Sequence, residues 1–104
     1  MEKIYIVCWG TGSADQDGCA HAYCGVHGVY RDKTEASKNL VSCKEEIFND
    51  IMNDLDPDGD MPYIIEEANV QVYGSEAEEY FEIDYTLGTD LCEVYIKIEE
   101  KEFN

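Results

Sequence analysis

The chain has 104 residues, of which 44% are hydrophobic, and a formal net charge of −17 from 24 acidic and 7 basic residues. This length predicts one domain, and the hydrophobic content is too high for a disordered chain. The charge disfavours contact with anionic membrane surfaces and with nucleic-acid phosphates, and no apolar stretch approaches the ~20 residues that cross a bilayer.

Two strands are expected before the first helix. Residues 3–9 are apolar on both faces, which is typical of a central strand, and the run is too short for a signal peptide. Gly10–Gly18 has the composition of a loop. Residues 20–30 alternate like a second strand that forms a hairpin with the first, and Gly25 and Gly28 suggest a bulge in it.

The clearest predicted element is one amphipathic helix. Asp32 or Thr34 can cap its start, and Glu35 follows Asp32 at the spacing of a capping box. Apolar residues then recur every three or four positions over about five turns, and the helix should end before Pro57. The predicted buried stripe consists of Ala36, Leu40, Cys43, Ile47, Ile51 and Leu55.

Three more strands follow the helix. One is expected within residues 63–73, most plainly at 70–73. Residues 79–87 and 91–99 both alternate between apolar and polar side chains, and the turn Gly88–Asp90 joins them into an antiparallel hairpin with one face in water. The order ββαβββ predicts an α+β fold, an antiparallel sheet of four to five strands with one long amphipathic helix packed on one face.

The acidic residues are concentrated in the second part of the chain. Residues 1–44 carry five acids and five bases, whereas residues 45–93 carry sixteen acids and no Lys or Arg. Compact like charge repels itself, so this asymmetry suggests a surface that meets a partner. Two alternatives remain open. One is a solvated face that keeps the protein soluble, and the other is halophilic adaptation, which should also acidify the first 44 residues.

The candidate contact residues lie on the helix and on the last hairpin. Glu46, Asp50 and Asp54 follow one another at i, i+4, where like charges cost about 0.2–0.5 kcal/mol per pair, and the last two oppose the helix dipole. On the hairpin, acids share the wet face with tyrosines, which provide rigid contact area. The predicted partner-binding residues are Glu46, Asp50, Asp54, Asp56, Asp58, Asp60, Glu82, Asp84, Glu93, Tyr80 and Tyr95.

This acidic surface predicts a non-enzymatic inhibitor that imitates nucleic acid. An array of carboxylates would occupy the basic groove of a nucleic-acid-binding protein, and the binding would weaken with salt. Two acidic faces would repel each other, so we expect a monomer, or a dimer through the neutral first part near residues 26–30.

The Asp-rich turn at residues 54–60 allows a second function. Asp54, Asp56 and Asp58, followed by a glycine, match the opening D-x-D-x-D-G of a calcium loop. The twelfth position is Ile65 where a Glu is required, so the pattern predicts a weak Ca²⁺ or Mg²⁺ site and not an EF-hand. The chain would then be a small cation-binding or accessory domain. No other cofactor is expected.

The five cysteines are odd in number and scattered, which favours reduced thiols in a cytoplasm. Cys19, His21, Cys24 and His27 are ligand types for zinc, but a strand would turn Cys24 away from the other three. No orienting group is recognisable for a Cys–His nucleophile, so we expect no catalysis.

The segments Ile4–Val7 and Gly28–Ala36 resemble the opening of small phage and bacterial proteins of unknown function. In those proteins a strand precedes a Gly-Val-Tyr strand and a helix that starts near Lys-x-Glu-Ala. The resemblance covers residues 3–41 and implies a mobile-element or bacterial cytoplasmic setting. In size and acidity, the chain also resembles phage-encoded inhibitors of host defence, including anti-CRISPR proteins and DNA mimics. That resemblance implies a CRISPR effector as the target and carries over no catalytic residue.

Overall fold

One antiparallel sheet of five strands carries a long helix on one face. The computed structural model describes residues 2–14 and 20–103, and of residues 13, 14, 20–23 and 103 it describes the backbone alone. The strand order across the sheet is β2-β1-β5-β4-β3, and all paired strands are antiparallel. The predicted α+β fold is therefore confirmed. In chain order the elements are β1 (Glu2–Ala14), β2 (Ala20–Tyr30), α1 (Lys33–Leu55), α2 (Pro62–Ala68), β3 (Gln71–Ser75), β4 (Tyr80–Leu87) and β5 (Asp90–Phe103).

Helix α1 has the predicted bounds and the predicted buried stripe. Asp32 caps it, because its side chain accepts a hydrogen bond of 2.8 Å from the backbone N–H of Thr34. The helix ends at Leu55, two residues before Pro57. Ile47 is partly buried against the core, and the buried residues of the helix are Ala36, Leu40, Cys43, Ile51 and Leu55.

The core lies between α1 and one face of the sheet, which we call the inner face. Five inner-face side chains, those of Val7, Phe81, Ile83, Val94 and Ile96, are at most 8% exposed. Burial of each contributes about 1.5–3 kcal/mol relative to an exposed side chain. Because side chains alternate along a strand, the residues between them point to the opposite face, which we call the outer face.

Two segments differ from the sequence prediction. Gly10–Gly18 was expected to be a loop, but β1 continues to Ala14 and pairs with both β2 and β5 as far as that residue. The rest of the predicted loop lies outside the described residues. Ladder hydrogen bonds from two neighbouring strands outweigh the local preference of the glycines. Residues 62–68 form the unpredicted helix α2, with Pro62 in its first turn and Asn69 ending it in the left-handed conformation at a φ of 50°. The strand expected within residues 63–73 is β3.

A β-bulge interrupts the pairing of β1 with β2. Val7 pairs with Gly28 and Cys8 pairs with Val26, so His27 is the extra residue. A bulge was predicted from the glycines of β2, and it lies directly beside Gly28. Bulges of this kind bend the longer strand and increase its local twist.

Candidate functional site

The β4–β5 hairpin brings three carboxylates and two tyrosines together on the outer face. Asp84 lies opposite Glu93, and Glu82 lies opposite Tyr95. The Tyr80 hydroxyl donates a hydrogen bond of 2.8 Å to Glu82 Oε1, and the Tyr95 hydroxyl donates one to Glu93 Oε2. The centroids of the two tyrosine rings are 6.4 Å apart. We call these five residues the outer-face cluster, and all five belong to the predicted contact residues.

The ionised form of Asp84 is disfavoured by its surroundings in the outer-face cluster. Burial, hydrogen bonding of its protonated form to Glu82, and the charges of Glu82 and Glu93 together raise the pKa of Asp84 from 3.8 to about 6. Its Oδ1 atom is buried and has no hydrogen-bond partner among the described residues. An ionised carboxylate in such a place is under-solvated and repelled by its neighbours. A cation that approached the cluster would relieve this repulsion.

The two tyrosines are neutral hydrogen-bond donors at physiological pH. Burial and the hydrogen bond to Glu82 raise the pKa of Tyr80 well above its ordinary value of 10. The hydrogen bond to Glu93, with burial, raises the pKa of Tyr95 to about 12. Because each hydroxyl is held by a carboxylate, the two rings stand in defined positions on the sheet surface.

The acids of α1 lie on the other side of the sheet. The helix packs on the inner face through its buried stripe, so its polar side is separated from the outer-face cluster by the whole sheet. Sequence reasoning treated the two groups as one surface, whereas the fold divides them into two. The predicted contact acids of the helix, Glu46, Asp50 and Asp54, are all exposed.

The Asp-rich turn connects α1 to α2. Asp58 and Asp60 are exposed there, and Asp56 Oδ1 accepts a hydrogen bond of 3.2 Å from the backbone N–H of Met61. In the described part of the chain, no three His, Cys, Asp or Glu residues are arranged to hold a metal ion. The carboxylates of Asp54, Asp56 and Asp58 therefore do not form a three-ligand cluster, and the weak Ca²⁺ or Mg²⁺ site stays a prediction.

The four zinc-type residues are only partly covered by the structure. Cys19 and the side chain of His21 lie outside the described residues. Cys24 is exposed on the outer face, opposite Gly10 of β1, and His27 is the bulged residue.

An apolar half of the outer face was not recognised from the sequence. It is formed by β1 and β2, where Ile4, Ile6 and Cys8 stand beside Val26 and Val29. The sequence does show that β1 is apolar on both faces, but this pattern was interpreted as a central strand with both faces buried. Val26 and Val29 are instead 63% and 55% exposed.

A groove of about 640 Å³ lies where the apolar half meets the outer-face cluster. Cys8, Cys24 and Val26 line one side of it, and Tyr80 and Tyr95 line the other. Gly10, which has no side chain, lies between these two sides at the join of β1 and β5. The outer face therefore combines an apolar depression with fixed anions beside it.

No protein-family model, curated protein or solved structure matches this chain. The resemblance of residues 3–41 to small phage and bacterial proteins stays a prediction. Among the described residues, neither helix has the length and apolar character that crossing a bilayer requires.

Proposed function

We propose that this protein is a non-enzymatic inhibitor that acts in a bacterial cytoplasm by binding a basic nucleic-acid-binding protein, with a CRISPR effector as the first target to test. The observation that carries the proposal is the outer-face cluster, in which three carboxylates and two phenols share a sheet face that no element of the described residues covers. The net charge of −17 adds long-range attraction to any cationic partner.

Like charges lie opposite each other on the outer face of the free protein. Directly opposed residues of an antiparallel pair have Cβ atoms about 4.5–5.5 Å apart, and like charges placed there destabilise the pairing. Asp84 and Glu93 occupy such positions. A Lys or Arg cluster that normally neutralises phosphates would neutralise these carboxylates equally well. Binding would thus relieve a cost that the free protein carries, and the rigid strands would lose little entropy.

Two of the thiols are poor candidates for nucleophilic catalysis. Burial raises the pKa of Cys43 to about 11, and burial also raises the pKa of Cys8. The thiolate is the nucleophilic form of cysteine, so both residues are poorly reactive at neutral pH. A role as an electrostatic competitor requires no reacting group.

The proposal is tested by capture followed by displacement. Immobilised protein is exposed to nuclease-treated bacterial lysate at low and at high salt, and each retained protein is purified. Its binding to a fluorescent duplex or guide RNA is then measured with increasing amounts of this protein. We expect a basic partner, retained at low salt, whose nucleic acid is displaced competitively. Neutral or acidic partners, or nucleic acid that stays bound at saturation, would refute the proposal.

A further inference from the structure

The outer face has no second layer among the described residues, although half of it is apolar. A solvated face of an antiparallel sheet ordinarily carries polar side chains. Here Ile4 and Ile6 of β1 stand on that face next to the exposed Val29. Contiguous exposed apolar surface that is bordered by polar groups is typical of an interaction site.

The groove has the anatomy of an interface centre. Its volume of about 640 Å³ is large enough for a bulky side chain and its neighbours. Pockets that bind ligands usually have volumes of ~300–1,000 Å³. Tyr80 and Tyr95 form one wall, and their rings are held in place by hydrogen bonds to Glu82 and Glu93. Tyrosine walls around an apolar floor are common where binding energy is concentrated.

The charges around the groove select for a cationic neighbour. The carboxylates that accept hydrogen bonds from the tyrosine hydroxyls lie on the same two strands as this wall. Among the described residues that line the groove, Lys97 is the one basic residue, and it forms an ion pair of 3.1 Å with Glu99. Its positive charge is therefore offset locally, and the carboxylates of the outer-face cluster remain beside the groove. An anionic occupant such as a nucleic-acid backbone would be repelled.

We propose that the groove receives a bulky apolar side chain from a basic segment of the partner protein, while a neighbouring Lys or Arg of that segment meets the carboxylates of Glu82, Asp84 and Glu93. This inference rests on the proposed function and adds where the partner docks and which sequence chemistry it presents. A second copy of this chain fits the groove poorly, because each copy would bring a net charge of −17 to the contact.

Three short blocked peptides test the chemistry of the occupant. One is lysine-rich with a central tryptophan, one has serine in place of the tryptophan, and one has glutamine in place of each lysine. Binding is measured by calorimetry at about 0.1 M salt, where charges further than ~10 Å apart are screened. We expect the lysine–tryptophan peptide to bind at least about fivefold more tightly than either control, the effect of one interface side chain that contributes about 1 kcal/mol.

Two matched pairs of variants assign the binding to the groove. Val26→Ser removes an apolar group from the groove, and its control Val72→Ser changes a valine that is 44% exposed on β3. Val26→Ser should lower the affinity of the lysine–tryptophan peptide toward that of the serine peptide, whereas the control should not change it. Circular dichroism and melting curves verify that both variants are folded.

The second pair separates the two acidic surfaces. Glu82→Gln with Glu93→Gln keeps acceptors for both tyrosine hydroxyls but removes two charges, and it should reduce lysine–tryptophan binding to the level of the glutamine peptide. The control, Glu46→Gln with Asp50→Asn on α1, should bind like the wild type.

Each other outcome has a defined meaning. Binding that depends on the helix acids and not on Val26 would overturn this inference but leave the proposed function intact. Equal binding of all three peptides would overturn the requirement for a basic, apolar segment. A concentration-dependent dimer that Val26→Ser abolishes would assign the groove to self-association, and this would also overturn the inference. Absence of binding to every lysine-rich peptide would count against the proposed function as well.

Discussion

Replacement of Asp84 by Asn should stabilise the protein at neutral pH. Asn has the shape of Asp but no charge, so it removes the repulsion from Glu82 and Glu93. The difference between a pKa of 3.8 and one of about 6 corresponds to about 3 kcal/mol at ~1.36 kcal/mol per pKa unit. Asp84 is only half-buried, and solvent screening reduces this value, so we expect a gain of about 1–2 kcal/mol.

The sign of the pH dependence follows from the raised pKa. The folded state binds the proton of Asp84 more tightly than the unfolded state does. The favourable contribution is therefore complete below pH 3.8 and is lost as the pH rises through about 6. The Asp84→Asn variant should exceed the wild type in stability at about pH 8, and the two should converge as the pH falls toward about 4.

Urea unfolding across this pH range is the appropriate assay. In a separate thermal melt at about pH 8, the gain should raise the melting temperature by roughly 4–8 °C per kcal/mol. Asp58→Asn, in the exposed turn, is the matched control and should change the stability by less than about 0.5 kcal/mol. An Asp84→Asn variant that is no more stable than the wild type at about pH 8, or whose gain does not change with pH, would contradict the predicted repulsion.

Three further predictions concern the fold and the thiols. Gly74 has a φ of +93°, and an added Cβ would lie 2.1 Å from a backbone carbonyl oxygen, whereas Gly88 has a φ of +66° and open space around it. In urea unfolding, Gly74→Ala should therefore lower the free energy of unfolding by roughly 2 kcal/mol or more, and Gly88→Ala should lower it by about 1–2 kcal/mol. Equal losses for the two variants would contradict the clash at Gly74. Asp32→Ala should cost about 1 kcal/mol through loss of the helix cap, and an unchanged unfolding midpoint would contradict this. At about pH 8, iodoacetamide should modify the exposed Cys24 well before the buried Cys43, and peptide mass mapping measures both rates. Equal rates would show that Cys43 is accessible to the reagent and not buried in the core.

The predictable parts of the fold are those in which a local pattern and burial agree. The stripe of α1 and the alternation of β4 and β5 both specify the face that is buried, and tertiary packing uses the same face. Asp32 and Pro57 define the ends of α1 through local chemistry. These elements could be predicted because each is encoded within a short window of sequence.

Other parts depend on partners that are distant in sequence. The end of β1 contains Gly10 and Gly12 and has the composition of a loop, but it is a strand because β2 and β5 pair with it on both sides. Helix α2 has only seven residues, too few for a helical period to be recognised. Pro62 and Asn69 were its only local signals.

One part of the candidate site could be predicted from the sequence and another part could not. The outer-face cluster could be predicted because alternation alone places Glu82, Asp84 and Glu93 on one face. The groove could not be predicted, because it exists only where β1 lies next to β5. No single segment of the sequence indicates the order of the strands in the sheet. The separation of the helix acids from the hairpin acids likewise depends on which face α1 covers.

The most direct test of the account is a displacement assay with two charge-reversed proteins. One carries Glu82→Lys and Glu93→Lys on the outer face, and the other carries Glu46→Lys and Asp50→Lys on α1. Both change the net charge equally, and both are tested against nucleic acid bound to the captured basic partner. The account predicts that the outer-face variant fails to displace the nucleic acid while the helix variant remains close to the wild type. Full displacement by the outer-face variant would contradict it.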